Sequence, residues 1–299
     1  MLTQSPAEII KRIRKLEILT KIIVSEQLSG NYHSSFRGQG LEFAEVREYQ
    51  AGDSFRSIDW NVSARYGAPY IKKFRETREL NVFLIVDVSA SMDFATLNAY
   101  KRERMAEIAA VLSFSALSNH DKVGMLMYSS ALEKYLPPRQ GKKSALQILR
   151  EILYYEPKAR GSSLAGAFES TLRLLKKRSV VFILSDFLDK GFSRPLEILA
   201  RKHDVIALQI LDDAELVLPK AGLVRLHDPE TGLRTVIDSS HPELRKVFEK
   251  AVNKEQAALE AGLKRMQVEH VLIKNSDSYG NALRLFFERR AQRLRRRRR

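Results

Sequence analysis

Asn81–Asp93, NVFLIVDVSASMD, is the stretch on which the reading of the fold turns. Val82 to Val86 is an unbroken apolar run rich in β-branched residues, the composition of a central parallel strand covered on both faces. Directly after it, Asp87, Ser89 and Ser91 stand at alternate positions. The carboxyl end of a strand in an α/β sheet opens into the crevice where ligands bind. One carboxylate and two hydroxyls placed there offer hard oxygen donors, which suit Mg²⁺, or Mn²⁺ or Ca²⁺, better than zinc or copper. The same residue types are ordinary turn and N-cap residues, so the triplet alone also reads as the start of a helix.

Two later stretches supply what the triplet lacks. VVFILSDF, Val180 to Phe187, is a second apolar strand ending in an acid, Asp186. RGSSLAGAF, Arg160 to Phe168, is a Gly-led turn into a helix whose first hydroxyls belong to Ser162 and Ser163.

This three-part pattern resembles the metal-ion-dependent adhesion site of von Willebrand factor A domains. In that family an Asp and two Ser after the first strand, a Thr from a second loop and an Asp after a later strand surround one Mg²⁺. The resemblance places the Asp and two Ser on Asp87, Ser89 and Ser91, the later Asp on Asp186 and the Thr on Ser162. Serine keeps the hydroxyl but lacks the β-branch that stiffens the Thr rotamer, which bears on metal affinity. Upstream, GQGLEFAEVREYQAGDSFRSIDWNVSARYG, Gly38 to Gly67, resembles the signature of the bacterial family called domain of unknown function fifty-eight. The resemblance implies a von Willebrand A-like domain after this segment and, as partner, a MoxR-type AAA+ ATPase encoded nearby. It does not imply a particular activity.

Working outward, the chain alternates strands and helices. Lys122 to Tyr128, Val180 to Leu184, Val205 to Leu211 and Glu269 to Ile273 read as strands, and Leu132 to Leu136 as an antiparallel edge. Tyr100 to Asn119, Ser144 to Tyr154, Ser163 to Lys176, Pro195 to Arg201, Pro242 to Met266 and Asn281 to Leu294 read as helices. The expected fold is α/β: a von Willebrand factor A-like, Rossmann-like, mostly parallel sheet with helices on both faces. Leu223 to Leu226 and Arg234 to Ile237 flank the turn sequence DPETG and make a hairpin insertion over 221–239. Before the first strand, Ser5-Pro6-Ala7-Glu8 is a good helix start, and Leu16 and Ile23 belong to the apolar stripe that follows. Phe36, Phe43, Tyr49, Phe55, Trp60 and Tyr66 then recur through a segment without a long apolar run. So many aromatics predict an extension packed on the main domain, with a short helix capped by Asp53 or Ser54 and mixed charges pairing with that domain. The expected division is 1–79 as amino-terminal helix and extension, 80–285 as the α/β domain and 286–299 as a basic tail.

Composition narrows the function classes. The chain has 299 residues, 44% hydrophobic and 29% charged, with no cysteine. That excludes disulfides and thiolate metal sites. The first residues have no apolar core of signal-peptide length, and no run approaches the roughly 18 apolar residues of a membrane span, so a cytoplasmic protein is expected. Net charge is +15, and eight arginines within the last eleven residues leave +7 for the remainder. Such a tail suits nucleic acid, anionic lipid or an acidic protein surface, or it is a solvated end.

Catalytic patterns are missing. A haloacid-dehalogenase-type phosphatase needs a second carboxylate where Ser89 stands, there is no Walker-type phosphate loop, and the six histidines fall in no motif of a serine hydrolase. Two classes remain. One is a non-enzymatic, Mg²⁺-dependent protein-binding module working with a MoxR-type ATPase. The other is a nucleic-acid- or membrane-associated protein acting through its arginine-rich tail.

Overall fold

The structure, a computed structural model, describes residues 14–20, 23–24, 32, 41–50, 53–55, 58–76, 79–94, 100–159, 161–227 and 232–296. Ser5 to Glu8, Arg160, most of the DPETG turn and Arg297 to Arg299 lie outside them. The chain divides into two compact units, one of residues 36–79 and one of residues 1–35 with 80–299.

The smaller unit pairs β1 (Leu41–Glu48) with β2 (Tyr70–Glu76) antiparallel, with an irregularity between Phe43 and Glu45. Helix α1 (Trp60–Tyr66) lies between them in sequence. Its cap is Asp59, whose carboxylate accepts from the Asn61 and Val62 amides, while the short helix expected after Asp53 or Ser54 falls on Phe55, in a 3₁₀ turn, and on 56–57, which lie outside the described residues. Asp53 instead forms a two-pronged pair with Arg47, at 2.8 and 2.9 Å, and accepts from the Gln50 amide. Gly67 closes α1 in the left-handed region, φ 70°, where a Cβ would be strained.

Of the aromatics expected to pack, Phe36 lies outside the described residues. Phe55, Trp60 and Tyr66 are exposed, at 73%, 70% and 71%. Their neighbours are local: Tyr49 meets Phe55 with ring centroids 5.4 Å apart, and Tyr66 meets Tyr70 at 5.3 Å. The hairpin and helix close on themselves, so 36–79 is a compact unit and not a bare extension.

In the larger unit, six strands form one sheet: β3 (Asn81–Asp87), β4 (Lys122–Tyr128), β5 (Leu132–Arg139), β6 (Val180–Ser185), β7 (Asp204–Leu211) and β10 (Glu269–Lys274). Their order is β10-β7-β6-β3-β4-β5, all neighbours parallel except the β4–β5 edge. This is the α/β, mostly parallel sheet with helices packed against it that the sequence predicts. Pro137 and Pro138 sit on the edge strand, the place where a strand tolerates residues without an N–H. β8 (Leu223–His227) and β9 (Arg234–Asp238) make a separate hairpin within the expected insertion.

Val82 to Val86 are all at 0% exposure, as a doubly covered strand requires. Successive residues face opposite ways. Phe83 and Ile85 join a core with Leu164 and Phe168 of α4 (Leu164–Leu174) and Leu196 and Leu199 of α5 (Ser193–Lys202). Against the sheet also pack α2 (Lys101–Ser118), with twelve of its 18 residues buried, and α3 (Lys142–Tyr154). A helix buried on nearly all sides suits a place between sheet and outer layer. Further helices of this unit are α6 (Asp213–Leu216), α7 (Pro242–Arg265) and α8 (Tyr279–Arg296), and residues 14–20 are helical as well.

Described residues towards both ends of the chain contact this unit. Glu17 pairs with Lys142 at 2.7 Å, and Tyr32 packs edge-on against Phe287 of α8, so residues before 36 group with the α/β unit and not with 36–79. At the other end the expected tail boundary at 286 cuts through α8. Phe286, Phe287 and Ala291 are buried, and Arg290, also buried, pairs with Asp204 and Glu269. Arg293 reaches Glu269 at 2.7 Å. Among the described residues, Arg290 and Arg293 of the terminal arginines are thus ion-paired.

Candidate functional site

The strand order reverses between β3 and β6. From β3 the chain runs outward through β4 and β5, then returns to build β6 and β7 on the other side. At such a switch point the carboxyl ends of two neighbouring strands diverge and leave a crevice. Asp87 is the last residue of β3, Asp186 directly follows β6, and Ser162 precedes Ser163, the N-cap of α4. Ser89 caps the 3₁₀ turn Ala90–Asp93, which holds Ser91.

The five residues singled out from sequence meet in one hydrogen-bonded network. Asp87 Oδ1 accepts from the Ser89 amide at 2.9 Å. Asp87 Oδ2 accepts from Ser162 Oγ at 3.3 Å, and also from Tyr128 Oη and Ser185 Oγ, each at 2.9 Å. The hydroxyls of Ser89 and Ser91 are 3.1 Å apart, and Ser91 Oγ donates to Asp186 Oδ2 at 2.8 Å. Asp186 Oδ1 accepts from the Leu188 amide, across a left-handed Phe187 with φ 58°. Such a conformation is uncommon for a bulky residue and belongs to sites where the chain must turn sharply.

Four further residues complete the site, and the sequence pattern did not single them out. Tyr128 is the register partner of Asp87 on β4, and Ser185 ends β6 just before Asp186. A polar residue closing an apolar strand was the available signal for both. Lys101, fully buried, places Nζ 3.1 Å from Asp186 Oδ2 and 2.7 Å from Glu215 Oε1. Glu215 is legible as the far member of a capping box with Asp212, but Lys101 reads as one of many helix lysines.

Burial, and then the Asp186 charge, push the Asp87 carboxyl up to about 6. Burial followed by the Asp87 charge raises the Tyr128 phenol well above its ordinary range, so it donates. Burial works against the Lys101 ammonium, yet Asp186 and Glu215 outweigh it and raise its pKa. Glu215 is raised by burial despite Lys101.

A second network fixes the loop that carries Ser162. Glu133 accepts from Ser129 Oγ at 2.5 Å, from the Lys158 and Ala159 amides at 3.1 and 3.0 Å, and from Tyr155 Oη at 3.2 Å. Burial opposes its ionisation, but these donors prevail and hold it below the usual range. The Ser163 amide donates to the Ser129 carbonyl at 2.9 Å, and Gly161 turns the chain at φ 84°.

Chemically, two carboxylates and three hydroxyls in a crevice form an all-oxygen donor set, which fits Mg²⁺. Among the described residues no group of three or more His, Cys, Asp or Glu side chains has the arrangement of a metal centre, so any cation site here leans on the hydroxyls. Asp87, Asp186 and Glu215 against Lys101 leave a formal charge of −2 when all are ionised. A divalent cation would balance that charge.

Among known proteins, the chain is 34% identical over 242 residues to the uncharacterized protein Rv1480 of Mycobacterium tuberculosis, covering 80% of this chain and 76% of that one. Among solved structures, BatB of Bacteroides thetaiotaomicron superposes with a TM-score of 0.46 at 17% identity, over 71% of this chain and 99% of that one. The SpRpn10 VWA domain superposes with a TM-score of 0.39 at 9% identity, over 69% and 94%. The model of the family described as "Protein of unknown function DUF58" matches residues 45–258, which hold most of the smaller unit and every strand of the main sheet but β10, and the chain belongs to that family.

Proposed function

We propose that the protein is a non-enzymatic, metal-dependent protein-binding module whose ligand set is Asp87, Ser89, Ser91, Ser162 and Asp186. One observation carries the reading: side chains from three separate segments join one network at the sheet's switch point. Bound there, Mg²⁺ would supply a positive charge only partly offset by its few carboxylate ligands, and so attract a carboxylate from a partner. The residues of this chain orient one another for that task, with Tyr128 and Ser185 holding Asp87 and Glu133 holding the Ser162 loop.

The non-enzymatic part of the reading is supported by the surroundings of the hydroxyls. Among the described residues, Ser89, Ser91 and Ser162 bond to carboxylates or to one another, and none to a histidine that would make it a nucleophile. The partner proposed is a MoxR-type AAA+ ATPase, with a role in complex assembly or maturation, on the strength of the family resemblance in Gly38 to Gly67. The test is capture of that ATPase by the full chain in Mg²⁺ and again in chelator, beside calorimetry with MgCl₂. Capture and heat that both vanish in chelator are expected. Capture indifferent to chelator overturns the metal-dependent reading.

A further inference from the structure

Lys101 stands against the local preferences of its residue type. Lysine is rarely buried without a partner, and the amino-terminal end of a helix disfavours a cation, yet Lys101 is the fully buried first residue of α2. Residues kept in place against local preference mark functional positions. Two carboxylates hold it, Asp186 at 3.1 Å and Glu215 at 2.7 Å. The Asp186 oxygen it meets is the one that accepts the Ser91 hydroxyl. Glu215 is itself fixed, because its other oxygen accepts from the Asp212 amide at 2.7 Å in the capping box of α6. An ammonium therefore shares a ligand oxygen of the proposed cation site and has a second, pre-positioned carboxylate beside it.

We propose that Lys101 is the resident counter-cation of the crevice and competes with the divalent cation for Asp186, with Glu215 as the carboxylate that retains the ammonium when the metal binds. The inference rests on the metal-binding reading above and adds what regulates that site. Lys101 neutralises Asp186 without metal, so the fold does not depend on the cation, and the pair Lys101–Glu215 sets how tightly the cation is held. Removing the ammonium deepens the negative potential at Asp186. Neutralising Glu215 leaves the ammonium committed to Asp186.

Calorimetric titration of the full chain with MgCl₂ and with MnCl₂ tests this in the wild type, Lys101→Met and Glu215→Gln. Lys101→Met is expected to bind at least about tenfold tighter than wild type, and Glu215→Gln several-fold weaker, because a unit charge a few ångströms away acts strongly in a buried site. Thermal unfolding gives a second readout: Lys101→Met should be the less stable in chelator and gain more from Mg²⁺ than the wild type gains. If Lys101→Met folds only when Mg²⁺ is present, and not in NaCl of matched ionic strength, that also supports the competition. Wild-type binding with affinities unchanged in both variants overturns this inference and leaves the metal-binding reading standing. No binding by the wild type or either variant overturns both. Binding that emerges only in Lys101→Met upholds both and makes Lys101 the reason the wild type binds weakly.

Discussion

Ser91 donates its hydroxyl to Asp186 at 2.8 Å across a separation of 95 residues. This single bond ties the turn after β3 to the end of β6. It is charge-assisted, so its loss should be felt both in the fold and at the site. Ser91→Ala is expected to lower the unfolding free energy by about 1–2 kcal/mol in urea and to weaken Mg²⁺ binding measured by calorimetry. A variant with lowered stability and unchanged metal affinity would take Ser91 out of the ligand set.

Asp87 makes the metal-free protein sensitive to pH in a defined direction. Burial and the neighbouring Asp186 lift its carboxyl to about 6, from an ordinary value of 3.8. The folded form thus holds a proton that the unfolded form has already lost. The stabilisation this brings is complete below the unfolded value and disappears as pH rises through about 6. In chelator, the wild type should lose up to about 3 kcal/mol relative to Asp87→Asn as pH rises from about 4 to about 7, and saturating Mg²⁺ should flatten the curve. Urea unfolding of both proteins across that window is the measurement. A constant difference between them would mean that Asp87 does not carry this burden.

The arginines of α8 should divide into structural and surface groups. Arg290 is buried between Asp204 and Glu269, while the Arg293 side chain is 60% exposed. Removing Arg290 strands Asp204 and leaves Glu269 with only the exposed Arg293, whereas an exposed pair is screened by solvent. Arg290→Ala should therefore cost about 3 kcal/mol and Arg293→Ala under about 1 kcal/mol, read from urea midpoints at constant slope. Equal, small effects would show that the carboxyl-terminal helix is not anchored through Arg290.

Gly124 on β4 leaves no room for a side chain against the edge strand β5. A Cβ at that position would lie 2.6 Å from the Pro138 nitrogen and 2.8 Å from the Leu136 carbonyl oxygen, both backbone atoms. Backbone cannot step aside as a flexible side chain can. Gly124→Ala should cost about 1–3 kcal/mol through displacement of β5, seen as a lower thermal midpoint and faster amide exchange over Leu132–Arg139. Unchanged exchange in β5 would count against the close approach.

The legible parts of this molecule were those with short-range signals. An apolar β-branched run such as Val82 to Val86 has few alternatives to a buried strand, and residues that follow such a strand fall at the crevice by geometry alone. Asp87, Ser89, Ser91 and Asp186 were found that way, Ser162 was placed by the resemblance to von Willebrand factor A domains, and the network joins all five. Lys101 was not legible, because its burial depends on Asp186 and Glu215, which are distant in sequence. The exposed Trp60 shows the reverse limit. An aromatic count predicts that a segment packs, but not which of its rings stay exposed. The arginine run concealed Arg290 for a related reason, since Asp204 and Glu269 lie in β7 and β10, outside any local pattern.

Ser162 stands where the resemblance to von Willebrand factor A domains places a threonine, and the structure makes the difference testable. Its hydroxyl reaches Asp87 Oδ2 at 3.3 Å, the longest of the three hydroxyl contacts to that oxygen. The backbone around it is already fixed, by Glu133 on the Lys158 and Ala159 amides and by Ser129 on the Ser163 amide. What stays free is χ1, and a β-branch restricts that torsion. Ser162→Thr should therefore tighten Mg²⁺ binding by a factor of up to about five, the worth of roughly 1 kcal/mol of rotamer entropy no longer lost on binding. Ser162→Ala should weaken binding and leave stability within about 1 kcal/mol, since Tyr128 and Ser185 still satisfy Asp87. Calorimetry with MgCl₂ ranks the three proteins Thr, Ser, Ala in falling affinity. The order Ala equal to Ser would remove Ser162 from the site, whereas Thr weaker than Ser would mean that the added methyl collides with the loop Glu133 holds in place.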